Sequence, residues 1–332
     1  MKHINVSIFV PHAGCPHQCS FCNQKSISGA STQPTAQDVR QAALTAIKSS
    51  PEGIRDGEIA FFGGSFTAID RDYMIELLSS AQEFIGENGF KGIRVSTRPD
   101  AIDEEICSLL KKYRVTAVEL GAQSTNDRVL ELNRRGHTRE DIFRAARLLK
   151  SFGFETGLQM MTGLYGSTDE DSIETAEDII SLSPDTVRIY PTVVIKDTPL
   201  AELYLSGKYA PQSPEHAAVL CARLLPMFEQ SGIRVIRLGL HSGGDVENGY
   251  LAGAYHPALR EMCEGYIYSD IIKKALEGRE KGDYTVFVAP KELSKATGQK
   301  KCNIEHLSSL GYFCKIRESQ ELSPREIRIE KN

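Results

Sequence analysis

The chain has 332 residues, 41% of them hydrophobic, with 39 Lys plus Arg against 44 Asp plus Glu and a formal net charge of -5. That size suits one barrel-type domain with a small appendage, and the acidic balance argues against indiscriminate polyanion binding. No apolar run approaches the ~20 residues a spanning helix needs, so no membrane is expected.

Short β-rich runs alternate with longer amphipathic stretches, the pattern of repeated βα units on a parallel sheet. The first strand is read at 4–10 and runs into PHAGCPHQCSFCNQ. Residues 35–50 place Val39, Ala42, Ala43, Ala46 and Ile47 on one helical stripe, with Thr35 as N-cap. Further strands are predicted at 58–62, 92–96, 115–120, 155–161, 186–190 and 234–238. The helices between them fall at 70–85, 103–113, 139–152, 169–182 and 214–230. After residue 238 the run HSGGDVENGYLAGAYHP reads as a loop over the barrel mouth or leading away from it. It feeds a helix over about 258–278, then a tail of one strand, two short helices and two strands. The expected domains are a core at 1–240, the loop and long helix at 241–282, and a small α+β appendage at 283–332. From Asp270 to Asn332 there are 13 Lys plus Arg and 10 Asp plus Glu, a surplus that hints at nucleic acid.

The chemical signal lies after the first strand, where Cys15, Cys19 and Cys22 stand as Cys-x3-Cys-x2-Cys. Three thiolates so close can wrap one face of an iron-sulfur cube and leave its fourth iron without a protein ligand. Structural zinc is the competing reading, with His12 and His17 nearby. Zinc knuckles, however, favour paired Cys-x2-Cys units and this loop has only one. The chain opens with MKHINVSIFV, with no apolar signal segment, so a reducing cytoplasm is expected rather than disulfides. Cys107, Cys221, Cys263, Cys302 and Cys314 are scattered and read as core packing.

Other motifs fall at strand ends. FFGGSF at 61–66 puts two glycines where a ligand can approach the backbone, though a tight strand-to-loop corner has the same look. STRPD at 96–100 and ELGAQS at 119–124 close the third and fourth strands. Polar groups there are costly to bury unless they bind something. That singles out Ser96, Arg98, Glu119 and Gln123, with mutual pairing of Arg98 and Glu119 as the structural alternative. Met160 and Met161 read as core filler. Arg134, Arg135, His137 and Arg139 form a basic cluster suited to phosphates or to plain solvation. In the tail, Lys291, Lys295, Lys300 and Lys301 dot one side of a helical hairpin, with Tyr312 and Phe313 nearby for stacking or for the tail's own core.

The cysteine spacing resembles the radical S-adenosylmethionine (SAM) superfamily. More specifically, ELGAQSTNDRVLELNRRGHTRED, STRPD and VRIYPTVVIKDTPLAELYLSGKY resemble the radical SAM domain of the Elongator catalytic subunit and its shorter bacterial relatives, over most of residues 4–240. The resemblance implies a [4Fe-4S] cluster on Cys15, Cys19 and Cys22. Its open iron would be chelated by SAM, and one electron would cleave SAM to a 5'-deoxyadenosyl radical. It also implies that Gly63 and Gly64 contact the SAM amino group, with Ser65 departing at the third position of the turn. Ser96, Arg98, Glu119 and Gln123 would position SAM, Gly163 and Gly166 would border an adenine around Leu164 and Tyr165, and Tyr190 and Lys196 would meet the substrate. Lys196 reads equally as a rim charge.

Two departures limit the carry-over. The Elongator subunit has a longer spacer between its first two cluster cysteines. It also carries an acetyltransferase domain, and the ~50 residues after the long helix are too few for a domain of ~100 to ~150 residues, so acetyl transfer is not expected.

The expected fold is therefore α/β, a partial or complete (β/α) barrel of the radical SAM type with a small C-terminal α+β appendage. The expected function is a cytoplasmic radical SAM enzyme that modifies RNA, foremost a tRNA base, with a reducing partner such as flavodoxin or ferredoxin. A small-molecule or protein substrate, or a non-catalytic cluster-containing RNA-binding or iron-sensing protein, stays open.

Overall fold

The computed structural model describes residues 5–11, 15, 18–23, 32–49, 54–87, 89–240 and 249–332. The core is built from β1 Asn5–Val10, α1 Ala36–Ser49, β2 Glu58–Gly63, α2 Arg71–Gln82, β3 Gly92–Thr97 and α3 Glu104–Lys112. It continues through β4 Val115–Gln123, α4 Asp127–Leu132, α5 Arg139–Ser151, β5 Glu155–Thr162, α6 Asp169–Leu182 and β6 Thr186–Pro191. A short excursion follows through β7 Val193–Ile195 and α7 Pro199–Leu205, before α8 Pro214–Gln230 and β8 Arg234–Leu238 close the core. The predicted strands and long helices are all present, most of them within one or two residues of their expected bounds; β4 and α2 differ by three.

Seven strands pair in the order β1-β2-β3-β4-β5-β6-β8, all in parallel. β1 and β8 stand at opposite edges of this curled sheet, so the barrel is partial. Strand alternation gives the sheet two faces. One carries Val6, Ile8, Ile59, Phe61, Ile93, Val95, Val118, Leu120, Leu158, Met160, Val187 and Ile189, which join the apolar faces of the helices in one large core. The other carries Glu58, Arg94, Glu119, Glu155, Gln159 and Arg188. Most parallel sheets are apolar on both faces, so this inner face departs from the rule.

The helices begin where side chains cap orphan backbone donors. Asp70, Asp103, Asn126, Thr198 and Ser213 accept from N–H groups of the first turn. Thr138 with Asp141, and Thr168 with Asp171, form capping boxes.

Beyond the core, the run read as a loop after residue 238 contains a strand. β9 Tyr250–Gly253 pairs antiparallel with β7, while residues 241–248 lie outside the described residues. The pairing gives those backbone groups partners that a loop would leave to water. The long helix α9 Leu259–Leu276 belongs to two cores. Leu259, Cys263 and Ile267 face the barrel helices, whereas Tyr268, Ile272 and Leu276 pack on β10 Gly282–Val288, α10 Leu293–Thr297, α11 Cys302–Ser309 and β11 Tyr312–Glu318. With β12 Ile327–Lys331 the tail forms a three-stranded sheet in the order β11-β10-β12. Cys107, Cys221, Cys263 and Cys314 are buried as expected, but Cys302 is exposed at the start of α11 and packs in no core.

Candidate functional site

The cysteine loop leaves the end of β1 with Cys19 buried and Cys15 and Cys22 half-buried. It is anchored at several points. The Ser20 backbone N–H donates to the Asn133 carbonyl at 3.1 Å, and its hydroxyl donates to Asn133 Oδ1 at 2.6 Å. The Ser20 carbonyl accepts from Leu200 N at 2.8 Å, and Arg135 Nη1 donates to Cys19 Sγ at 3.0 Å. Phe21 packs with Tyr165, Val194, Leu200 and Tyr209, which seats the loop against α7 and the β7–β9 pair. Among the described residues no three Cys, His, Asp or Glu side chains stand close enough together to hold a metal ion, and His12 and His17 lie outside them. What the loop offers is its donor set, three thiols of which one is buried beside a guanidinium.

The Gly-Gly turn at the end of β2 is sterically dictated. Gly63 has φ +122, and a Cβ there would stand 2.4 Å from the Val10 carbonyl oxygen. The Gly64 N–H donates to that same oxygen at 3.1 Å. Ser65 is fully buried; its hydroxyl pairs with Thr97 Oγ1 at 2.8 Å and accepts from Arg98 N at 3.2 Å. The turn therefore clamps β1 to the end of β3, and the Ser65 hydroxyl is already committed.

On the inner face the charges neutralise one another. Arg94 donates to Glu58 at 2.7 Å, to Glu155 at 2.8 Å and to Glu119 at 3.3 Å. Arg188 Nη2 donates to Glu119 Oε1 at 2.8 Å, and Gln159 Nε2 to Glu119 Oε2 at 2.9 Å. Arg188 Nε also lies 2.8 Å from Glu119 Oε2, but it is not aligned to donate. Burial opposes the charge on Arg188, and Glu119 outweighs it, holding the guanidinium protonated. Glu119 thus pairs with Arg94 and Arg188, not with Arg98. Arg98 instead forks onto Asp100 at 2.9 and 2.8 Å, because the chain turns after β3 and brings Asp100 within its reach. The structural alternative of Arg98–Glu119 pairing is therefore not what forms.

Unsatisfied polar atoms gather higher up, at the ends of β3 and β4. Ser96 Oγ, Arg98 Nη1, Gln123 Oε1, Arg135 Nε and His137 Nδ1 are all buried without a partner among the described residues. A Cβ on Gly121 would lie 3.0 Å from Gln123 Nε2, 3.4 Å from Arg135 Nη2 and 3.7 Å from the Thr97 carbonyl, which places the Gln123 and Arg135 side chains side by side. The register of β4 slips at Gly121/Gln123, and Gln123 takes a left-handed φ of +69. Such a bulge re-aims a side chain, and strained non-glycine residues cluster at ligand sites. Buried unsatisfied groups are rare in proteins, and the adjoining Gln123 and Arg135 side chains offer an acceptor and a donor that a polar ligand could satisfy.

The basic cluster after α4 divides. Arg134 and Arg139 are exposed, Arg139 pairing with Asp178, whereas Arg135 and His137 are 6% and 4% exposed. Burial, then the neighbouring Arg135, depress the His137 imidazole to about 4, so it is neutral near pH 7. Solvation therefore fails as an account of Arg135 and His137. No sequence signal distinguished them from Arg134 and Arg139.

The remaining candidates are spread around the rim. Tyr190 is half-buried with its hydroxyl 3.5 Å from Arg188 Nη1, and burial raises its phenol above the usual range. Lys196 is exposed, and its carbonyl accepts from Asn23 Nδ2 at 3.1 Å, one residue past Cys22. Leu164 is buried, while Tyr165 meets Tyr209 edge-on at 6.1 Å. Met160 is core filler; Met161 is half-buried on the inner face. Of the tail lysines, Lys295 is held by Glu292 at 2.8 Å, and Lys291, Lys300 and Lys301 are exposed.

Comparison with known proteins matches this architecture. The Radical SAM superfamily model covers residues 9–179 and the Radical_SAM C-terminal domain model residues 184–269. The tRNA uridine(34) acetyltransferase of Methanocaldococcus jannaschii is 32% identical over 180 residues, 48% of this chain and 33% of that protein. Human Elongator complex protein 3 is 32% identical over 190 residues, 51% of this chain and 35% of that protein. The chain thus spans about a third of the length of these relatives. An uncharacterized protein of M. jannaschii is 29% identical over 209 residues, 61% of this chain and 60% of that protein. Among solved structures, an N-terminally deleted archaeal Elp3 of Methanocaldococcus infernus superposes with a TM-score of 0.65 at 22% identity, covering 83% of this chain and 64% of that one, a likeness of fold. The described residues hold no helix long and apolar enough to cross a membrane. With a family model spanning more than half of its length over the half-barrel and the cysteine loop, the chain belongs to the radical SAM superfamily and is an enzyme whose cofactors are a [4Fe-4S] cluster and SAM.

Proposed function

We propose that this enzyme modifies a base of RNA, foremost of tRNA, by radical SAM chemistry, with Cys15, Cys19 and Cys22 as the cluster ligands. The observation that carries the substrate reading is the 32% identity, across about half of the chain, to a protein named as a tRNA uridine(34) acetyltransferase. Bound together, cluster and SAM supply a 5'-deoxyadenosyl radical able to abstract hydrogen from an unreactive carbon. The residues of this chain bind, orient and exclude water. Arg98 Nη1 and Arg135 Nε offer donors to a carboxylate, Gln123 Oε1 an acceptor to an ammonium or hydroxyl, and Ser96 Oγ either. Their burial keeps water from competing, and the fixed rim holds reacting groups close together. Tyr190 and Lys196 are the residues proposed to face the substrate, and an external one-electron donor of flavodoxin or ferredoxin type completes the system.

The C-terminal sheet offers a surface for RNA. On β11 Phe313, Lys315 and Arg317 share the face turned away from the tail's core and are exposed, while Arg328 of β12, which pairs with Glu321 and Glu330, lies 4.6 Å over the Phe287 ring on that side. The exposed Phe313 ring beside Lys315 and Arg317 suits base stacking and phosphate contact, a better platform than the helical-hairpin lysines.

The test is anaerobic reconstitution with SAM and bulk tRNA, following 5'-deoxyadenosine and analysing nucleosides by mass spectrometry. A new or missing nucleoside is expected; SAM cleavage indifferent to RNA overturns the substrate reading. Phe313→Ala with Lys315→Glu and Arg317→Glu is expected to weaken tRNA binding at least tenfold and to flatten its salt dependence. Unchanged affinity removes the sheet from the interface.

A further inference from the structure

A buried cation normally has a carboxylate beside it. Arg135 does not. It is 6% exposed, and its hydrogen bonds among the described residues run from Nη1 to Cys19 Sγ at 3.0 Å and from Nη2 to the Gly121 carbonyl at 2.6 Å, while Nε is buried and unpartnered. The backbone selects this inward orientation. Arg134 and Gly136 on either side adopt left-handed φ values of +54 and +68, and the Arg135 N–H is tied back to the Leu130 carbonyl at 3.0 Å. The guanidinium lies 6.0 Å over the Phe21 ring. The preceding Asn133 grips Ser20, next to Cys19.

We propose that Arg135 is a positioning residue of the cysteine loop, its guanidinium acting as counter-ion to the Cys19 sulfur and raising the reduction potential of a cluster bound there. The inference rests on the reading of Cys19 as a cluster ligand. Its physical basis is electrostatic. When one electron passes from the external donor to the cluster, the negative charge of the cage grows by one, while the guanidinium neither gains nor loses a proton. A fixed cation at low local dielectric stabilises the more negative state, and hydrogen bonds to cluster sulfurs are a recognised control of potential. The fork on Gly121 keeps the charge in place, so the same side chain couples the loop to the end of β4, where the unsatisfied donors gather.

The experiment is an EPR-monitored potentiometric titration of reconstituted full-length protein, with iron and sulfide measured in each sample. Arg135→Gln is expected to hold a full cluster but to be reduced at least tenfold less at fixed ambient potential, a downward shift of about 59 mV for one electron. Arg135→Lys, which keeps the charge but not the two-pronged geometry, is expected to shift by less. Asn133→Ala removes a different side-chain tie to the loop, the one to the Ser20 hydroxyl, and should leave the potential where it is. An unchanged potential in Arg135→Gln overturns the inference; if that variant loses its cluster, an unchanged potential in Arg135→Lys does so. An equal drop in Asn133→Ala also overturns it, by reducing Arg135 to a brace. A wild-type protein that takes up no iron or sulfide would instead overturn the ligand reading itself.

Discussion

Replacing Glu119 by Gln tests how the inner face of the sheet is held together. Glu119 is 1% exposed and is the carboxylate partner of Arg188, whereas Arg94 keeps Glu58 and Glu155 when Glu119 is neutralised. The substitution therefore strands Arg188, whose side chain is 14% exposed. Breaking a buried pair by removing one partner costs about 3–5 kcal/mol. The residual exposure of Arg188 puts the expected loss near the lower end, at about 3 kcal/mol. The double variant Glu119→Gln/Arg188→Met removes the stranded cation, so its loss should be at least ~1 kcal/mol smaller than the sum of the two single losses. Urea unfolding followed by far-ultraviolet circular dichroism, with the slope compared across variants, measures each value. A Glu119→Gln protein within ~0.5 kcal/mol of wild type, or additivity in the double variant, would refute the assignment. If Glu119 instead contacted SAM directly, stability would hold while SAM affinity fell.

Two further outcomes follow from local geometry. Gly63→Ala forces a Cβ to within 2.4 Å of the Val10 carbonyl oxygen at a φ of +122. It should cost about 2–4 kcal/mol in the SAM-free protein; a loss visible only when SAM is present would mean the glycine serves the ligand alone. His137 contributes a pH dependence whose sign is fixed by its depressed folded-state value of about 4 against 6.5. The unfolded chain binds the proton more readily, so this stability is fully present above pH 6.5 and drains away as pH falls toward 4, by about 3 kcal/mol in total. His137→Gln should flatten the stability profile across that window, and an unchanged slope would place the titration elsewhere.

The sequence exposed some of this and hid the rest for definite reasons. The repeat of βα units was plain because Ile59 with Phe61, Ile93 with Val95, and Val187 with Ile189 must alternate to meet the helices, and alternation survives in one dimension. The Arg94 network was not legible, because its members come from β2, β3, β4, β5 and β6 and meet only once the register is set. β7 and β9 escaped notice because three- and four-residue strands carry too little periodicity to stand out from a glycine-rich run. In NRRGH, one arginine is buried and its neighbour exposed. That choice depends on the left-handed turns at Arg134 and Gly136, which composition does not report.

The polar groups divide along the strands into a self-satisfied set and a set with buried atoms lacking partners among the described residues. Lower on the inner face Glu58, Glu119 and Glu155 meet Arg94 and Arg188 and satisfy one another, so they have little left to offer a ligand. At the strand ends, Ser96, Arg98, Gln123, Arg135 and His137 each keep a buried atom without a partner, in the place where βα barrels carry their chemistry. Gln123 is the sharpest discriminator, because its left-handed backbone is a strain that something must compensate. Asn tolerates that conformation better than Gln does, yet its carboxamide is one methylene shorter and withdraws from the rim. Gln123→Asn should therefore leave unfolding free energy within ~0.5 kcal/mol of wild type while weakening SAM binding about tenfold, the worth of one hydrogen bond in a site closed to water. Isothermal titration of the anaerobic, cluster-loaded protein and urea unfolding of the same variant read the two quantities separately. Unaltered SAM affinity would remove Gln123 from the ligand site, and a stability loss above ~2 kcal/mol would make the strained residue a structural clasp instead.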